Sequence, residues 1–239
     1  MLRRRALVCL FICVAAGAHA APTPAPPLRI ILVGDSTLAS STGYGDALCE
    51  RFSPETACIN LARGGRSSGS FRAEGRWDEV QTLLRESAGF GATYVLIQFG
   101  HNDQPGKPGR STDLVHEFPA NLARYVHEAR TLGAVPVLVT PLTRRSFRGA
   151  WVRDDLAPWS AAVRRVAATT QAPLVDLNKL SMADVQAIGP ARADAWARTG
   201  ANADHTHLGP GGAAHVAAMM TGALLRAAPP LARAARGAP

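Results

Sequence analysis

Residues 28–37 read LRIILVGDST, and the fold class turns on them. Apart from Arg29, the run up to Val33 is apolar without strict alternation, which suits a strand buried on both faces. It stops at Gly34-Asp35-Ser36-Thr37, small and polar, where a strand would reach the rim of its sheet. Four later runs follow the same plan: TACINLA (56–62), TYVLIQFG (93–100), AVPVLVTP (134–141) and APLVDL (172–177). Helical patterns cover 75–86, 119–132, 156–170 and 210–227, the last with Pro210 in its first turn, where a missing N–H does no harm. Strands alternating with helices imply parallel pairing through helical crossovers. The expected fold is therefore α/β, a three-layer αβα sandwich of about five parallel strands around one core. No internal repeat or second domain is visible.

Toward the N-terminus, Arg3, Arg4 and Arg5 precede the apolar run ALVCLFICVAAGA, and Ala18-His19-Ala20 has the form of a cleavage site. Residues 1–20 read as a secretory signal peptide, since the apolar run falls short of the roughly 18–20 residues of a membrane span. Residues 21–27 (APTPAPP) read as a stiff Pro-rich linker, and residues 228–239 as a loose C-terminal tail. The chain is expected to be secreted or periplasmic, monomeric, and without stable membrane association once the leader is gone.

The 239 residues carry 26 Lys and Arg against 18 Asp and Glu, a net charge of +8. Three of the basic residues leave with the leader and no acidic one does, so the mature chain keeps about +5. That balance suits an acidic partner, but the basic residues are scattered and nucleic-acid binding is not expected. Cys9 and Cys13 lie in the leader. Cys49 and Cys58, in an exported chain, are expected to form a disulfide. Without a Cys-x-x-Cys motif, neither a zinc ribbon nor a thiol redox site is indicated.

In open parallel sheets, functional residues gather at the C-terminal ends of the strands. Those ends carry Asp35-Ser36, then Gly64-Gly65-Arg66-Ser67, then Gly100-His101-Asn102-Asp103. Near the C-terminus stands DHTHLGPGG (204–212), which alone is ambiguous. Asp204, His205 and His207 could hold a metal, or Asp204 and His207 could serve a nucleophile elsewhere. Taken with the strand ends, they complete an acyl-transfer site. Ser36 is the nucleophile, His207 the base that activates it, and Asp204 the group that orients the imidazole. The Ser36 N–H, the Gly65 N–H and the Asn102 amide bind the oxyanion, with Gly64 as the alternative glycine. Each such donor is worth roughly 3–4 kcal/mol in the transition state.

The blocks GDST, GGRSS, GHND and DHTH, in that order, resemble those of the SGNH (GDSL-type) hydrolases, and most of all the rhamnogalacturonan acetylesterases. The resemblance spans about residues 28–225. It implies a flavodoxin-like sandwich with strand order 2-1-3-4-5, a single hydrolase domain over 28–227, and ester hydrolysis that releases acetate with no metal or other cofactor. Similar chains often carry a second Arg where this one has Gly69. Arg66 is the candidate contact for an acidic polymer, with Arg63 beside it.

The other polar and aromatic residues have plainer readings. Asp35 is expected to brace the turn that presents Ser36, and His101 and Asp103 to fix the loop around Asn102. His205 points away from His207 if the segment is extended. His116, His127 and His215 are surface or capping groups, and Trp77, Trp151, Trp159 and Trp196 are expected in the core. PGKPGRST (105–112) lacks the order of a phosphate loop and reads as a flexible surface loop.

The reading that follows is a secreted serine esterase acting through an acetyl-serine intermediate. Its substrate would be an acetylated acidic polysaccharide, acetylated rhamnogalacturonan first. Another polysaccharide, or a short-chain lipolytic ester, is the alternative within that class. A metal-dependent phosphoesterase would leave Ser36, Gly65 and Asn102 without roles, and a non-catalytic sugar-binding protein would have no need of the full set.

Overall fold

The computed structural model describes residues 25–198 and 204–236. The leader, residues 21–24 of the linker and the last three residues of the tail lie outside them. Strand β1 (Leu28–Gly34) lies inside the sheet: it pairs in parallel with β2 (Ala57–Asn60) on one side and β3 (Ala92–Gln98) on the other. β4 (Val135–Val139) and, after the two-stranded antiparallel ribbon of β5 (Phe147–Arg148) and β6 (Trp151–Val152), the short β7 (Leu174–Val175) complete the order β2-β1-β3-β4-β7. This is the expected 2-1-3-4-5 order, all parallel.

The apolar run of β1 works as the sequence implies. Ile30 and Leu32 face one core cluster and Ile31 and Val33 the other, all fully buried. Each contributes roughly 1.5–3 kcal/mol relative to exposure. Helix α1 (Gly45–Cys49) and helix α7 (Pro210–Ala227) cover the first face. The other face is covered by α3 (Arg76–Arg85), α4 (Glu117–Thr131) and α5 (Ala157–Thr170), through Trp77, Phe118, Tyr125 and Trp159. The short α2 (Ser70–Ala73) leads into α3. Cys49 and Cys58 form the expected disulfide, tying the end of α1 to β2.

Beyond the short α1 and α2 and the β5–β6 ribbon, three larger features depart from the sequence reading. Helix α6 (Leu177–Asp194) is absent from the sequence reading; it is kinked at Gly189, where φ is 74° and the backbone leaves the helical region. Residues 228–236 are not a loose tail. Leu231 and Ala234, three apart on a 3₁₀ turn (Pro229–Ala234), are buried in the first core cluster. The backbone is sewn to the rest by Ser53 N–H to the Ala234 carbonyl (2.7 Å) and Arg236 N–H to the Arg51 carbonyl (2.8 Å). Trp151 is not a core residue either. It sits on the β5–β6 ribbon, 73% exposed, because a two-residue strand outside the main sheet has no second layer to cover it. Trp77 and Trp159 are buried as expected. No helix among the described residues is long and apolar enough to cross a membrane.

Candidate active site

Where β1 ends, the chain turns at once. Asp35, fully buried, accepts the Thr37 N–H (2.9 Å) and the Thr37 hydroxyl (2.8 Å), while its own carbonyl accepts the N–H groups of Leu38 and Ala39. This turn lifts Ser36 out of the strand, and the Thr42 hydroxyl holds the Ser36 carbonyl at 2.7 Å. Asp35 is thus the brace the sequence suggested. Burial pushes its carboxyl up, but His101, with Nδ1 3.4 Å from Oδ2, and the two Thr37 bonds outweigh it and hold the group below its ordinary value.

Residues 204–207 form a tight turn directly before α7. Asp204 Oδ1 accepts the N–H groups of Thr206 (2.9 Å) and His207 (2.8 Å), leaving Oδ2 for His207 Nδ1 at 2.8 Å. An ionised carboxylate only accepts, so Nδ1 carries the proton and Nε2 is left as an acceptor. Nε2 stands 2.8 Å from Ser36 Oγ, across 171 residues of sequence. Burial raises the Asp204 carboxyl, yet the His207 and Thr206 N–H groups and the imidazole together bring it below its ordinary value, so it is ionised at neutral pH. The structure therefore brings Ser36, His207 and Asp204 into one hydrogen-bonded line. His205 is turned out toward Asp194, 3.4 Å away.

The remaining strand ends bring hydrogen-bond donors to the same rim. Arg63 to Arg66 make a turn closed by the Arg66 N–H and the Arg63 carbonyl at 3.4 Å, with Gly65 at φ 78°. That left-handed position, third in the turn, suits glycine and disfavours a β-carbon. A β-carbon on Gly64 would stand 3.8 Å from Ser36 Cβ, so the turn lies against the nucleophile. Asn102 adjoins it: its Nδ2 donates to the Arg66 carbonyl at 3.0 Å, which fixes the amide and leaves its second N–H free. Among the described residues, no acceptor engages the backbone N–H of Ser36, Gly64 or Gly65. Three strand ends thus present free donors around one hydroxyl.

Beneath this rim Asp103 accepts from the Ser68 N–H (3.0 Å), the Ser68 hydroxyl (2.6 Å) and the Thr112 hydroxyl (3.0 Å), all on Oδ1. It fixes the loop as anticipated. Burial nevertheless pushes its carboxyl up to about 6, against those bonds. Between about pH 4 and 6 the folded protein holds this proton more tightly than the unfolded chain does. Stability from this group therefore falls as pH rises through that window, on the order of 2–3 kcal/mol. Asp35 and Asp204 act with the opposite sign, adding stability that is lost on acidification. Asp103→Asn keeps an acceptor for all three donors and removes the ionisation. Compared with wild type, its thermal midpoint is expected to gain at pH 8 relative to pH 4.5. An unchanged difference between the two pH values would show that Asp103 does not titrate in this way.

Two residues depart from the sequence reading of the site. Arg66, the candidate substrate contact, has its guanidinium committed to Glu74 (2.8 Å) and to the Gly64 carbonyl (2.8 Å), where it stiffens the glycine turn. Arg145 was not singled out at all. It is 2% exposed, and its Nη2 donates to the carbonyls of Asp204 (2.6 Å) and His207 (2.7 Å). The only signal for it was position: the pair Arg144-Arg145 follows β4, one of the strand ends that face the site.

His215, exposed as expected, pairs with Asp184 (2.7 Å) and lies on the Trp196 ring; His116 and His127 are exposed. Among the described residues, no three His, Cys, Asp or Glu side chains converge as a metal site would require.

The family described as GDSL-like lipase/acylhydrolase matches residues 31–215. The rhamnogalacturonan acetylesterase RhgT of Bacillus subtilis is 33% identical over 172 residues, which cover 69% of this chain and 71% of that one. A probable rhamnogalacturonan acetylesterase, YesY, of the same organism is 31% identical over 162 residues, 65% and 72% of the two chains. Among solved structures, the Bacillus subtilis protein YxiM aligns with a TM-score of 0.71 at 24% identity, over 85% of this chain and 57% of its own length. An acetylxylan esterase from Geobacillus stearothermophilus aligns with a TM-score of 0.61 at 19% identity, over 85% and 94%. These two likenesses concern the fold. With strand order, site geometry and family match in agreement, the chain belongs to the GDSL-like lipase/acylhydrolase family and is a carboxylic ester hydrolase.

Proposed function

We propose that the chain is an exported serine esterase that removes O-acetyl groups from an acidic plant cell-wall polysaccharide, acetylated rhamnogalacturonan first. The observation that carries the chemistry is the line Asp204–His207–Ser36, 2.8 Å at each contact, beside unengaged backbone and amide donors. Ser36 Oγ attacks the acetyl carbonyl carbon as His207 Nε2 takes its proton. Negative charge then develops on the carbonyl oxygen, where the N–H groups of Ser36, Gly65 and Asn102 receive it. The intermediate collapses, the bond to the sugar oxygen breaks, and His207 returns the proton to that oxygen. Water then attacks the acetyl-Ser36 ester with His207 again as base, and acetate leaves. Asp204, ionised, stabilises the imidazolium in both halves.

The substrate is supported by the named relatives RhgT and YesY and by the small, polar residues that reach the surface after Ser36 (Ser40, Ser41, Thr42), which offer no apolar trough for a long acyl chain. Export is supported by the leader-like residues 1–20 and by the Cys49–Cys58 bridge. Acetate release from acetylated rhamnogalacturonan, acetylated homogalacturonan and acetylated xylan, each with and without EDTA, tests the proposal. The expected outcome is preference for rhamnogalacturonan and indifference to the chelator. Loss of activity in EDTA, restored by a divalent metal, would overturn the serine mechanism. Preference for xylan would overturn the substrate.

A further inference from the structure

Residues 105–112 read in the sequence as only a flexible surface loop, but the loop is tied down. Gln104 Nε2 donates to the Asp155 carbonyl (2.9 Å), Ser111 Oγ to the Gln104 carbonyl (2.8 Å), and Thr112 N–H to the Asp103 carbonyl (3.0 Å). Lys107 Nζ donates to the His101 carbonyl at 2.7 Å, immediately before Asn102. From this base Arg110 reaches the oxyanion turn: one of its terminal nitrogens lies 3.5 Å from where a β-carbon on Gly65 would stand. Arg144 joins the same loop through Gln104 Oε1 at 2.8 Å.

Lys107, Arg110 and Arg144 share one electrostatic neighbourhood. Burial lowers the Lys107 ammonium, and the charges of Arg144 and Arg110 lower it further, against Asp35 and Asp103. Among the described residues, no carboxylate lies within 4 Å of any of the three. Asp155, the acid that most supports Arg144, is itself paired with Arg153 at 3.0 Å. Like charges gathered on a partly desolvated rim raise the free energy of the resting protein, and an anion arriving from solution relieves it. Beyond Arg110 lies a cleft of about 490 Å³ that Gly69 leaves open by having no side chain. Its acid, Glu117, accepts the Asp113 N–H at 2.7 Å.

We propose that Arg110, backed by Lys107 and Arg144, forms a subsite for the carboxylate of a uronic-acid residue held beside the acetylated position, with the cleft past Gly69 receiving the continuing chain. This rests on the polysaccharide acetylesterase reading and sharpens it: it makes negative charge on the sugar a determinant of binding, and it moves that role from Arg66 to Arg110. The planar guanidinium suits a carboxylate because it offers two parallel N–H groups.

The test compares acetate release from acetylated rhamnogalacturonan and from the same polymer with its carboxyl groups amidated, so that only the charge differs. For wild type, kcat/KM at low ionic strength is expected to be roughly tenfold higher on the charged polymer, mainly through KM. That preference narrows as NaCl is added, because the rim is exposed to screening. Arg110→Gln is expected to remove most of the preference and its salt dependence. Arg110→Lys retains part of it, and Arg85→Gln, an exposed charge on α3, leaves it as in wild type. A wild type that treats the two polymers alike, or an Arg110→Gln variant that keeps the preference, would overturn the subsite while the acetylesterase reading stands. Acetate release from neither polymer would overturn both.

Discussion

Ser36→Ala is expected to lower kcat on p-nitrophenyl acetate by about 10⁵-fold or more, with the thermal midpoint within about 3 °C of wild type. The large effect on rate follows from removing the only atom positioned to form the acetyl-enzyme. The small effect on stability follows because Ser36 Oγ makes one hydrogen bond, to His207, at the rim of the sheet. A bond of that kind contributes about 1 kcal/mol. His207→Ala should cost about as much, and the double variant little more than either, because nucleophile and base act as one unit. Asp204→Ala is expected to leave roughly ten- to a hundredfold more residual activity, since Asp204 orients and stabilises without bonding to substrate. His205→Ala should stay within about twofold of wild type. If it proved as damaging as His207→Ala, the assignment of the base would be wrong.

Arg145→Met is expected to give the largest loss of stability of any single change near the site, about 3–5 kcal/mol, or roughly 10 °C in thermal midpoint. Arg145 holds the loop of residues 204–207 by its backbone. Its guanidinium donates to the Asp204 and His207 carbonyls, with a longer contact to that of Thr206 (3.5 Å), and its own N–H donates to the His205 carbonyl at 2.8 Å. Among the described residues no carboxylate within 4 Å neutralises it, so carbonyl dipoles carry the compensation. Burial lowers its pKa, and the more distant Asp204 and Asp194 oppose that. Methionine replaces the aliphatic stem but donates nothing, leaving part-buried carbonyls without partners at about 1–3 kcal/mol each. The same loop carries the imidazole, and a displacement of about 1 Å costs on the order of 10²-fold in rate. Folded Arg145→Met should therefore lose kcat by that factor with KM within about threefold, and Arg145→Lys should recover part of both losses. A stability loss with unchanged kcat would confine Arg145 to a structural role.

The roles that were legible in the sequence share a physical origin. β1, β3 and β4 are covered on both faces, so their middles are apolar on both sides, and the small and polar residues at their ends mark the rim. Helix α7 was readable to the residue because Pro210 starts it and its apolar positions face the core. Helix α6 was not. It buries only Leu177, Asn178, Ser181, Val185 and Ala193 along its length, and its backbone leaves the helical region at Gly189, so no continuous apolar stripe marks it. The 3₁₀ turn at 229–234 was equally hidden, since Leu231 and Ala234 look like tail residues until the first core cluster stands beside them.

For the site, the sequence alone determined the cast of residues and their chemistry. A serine after a buried strand, a glycine turn, an asparagine at a third strand end and an Asp-x-x-His turn are local patterns, each set by backbone geometry within a few residues. Which arginine does what was decided only by the tertiary structure. Arg66, Arg110, Arg144 and Arg145 are alike in a string of letters, because a guanidinium on a long stem takes its role from whatever acceptors the fold brings within its reach. Glu74 claims the first, the loop of residues 204–207 buries the last, and Arg110 is left facing the Gly64-Gly65 turn with, among the described residues, no acid of its own. The same holds for DHTH: its turn was readable, but only the packing of α7 against α1 and β7, with the Leu208 N–H on the Thr42 carbonyl (2.9 Å), puts His207 on Ser36 while His205 turns outward.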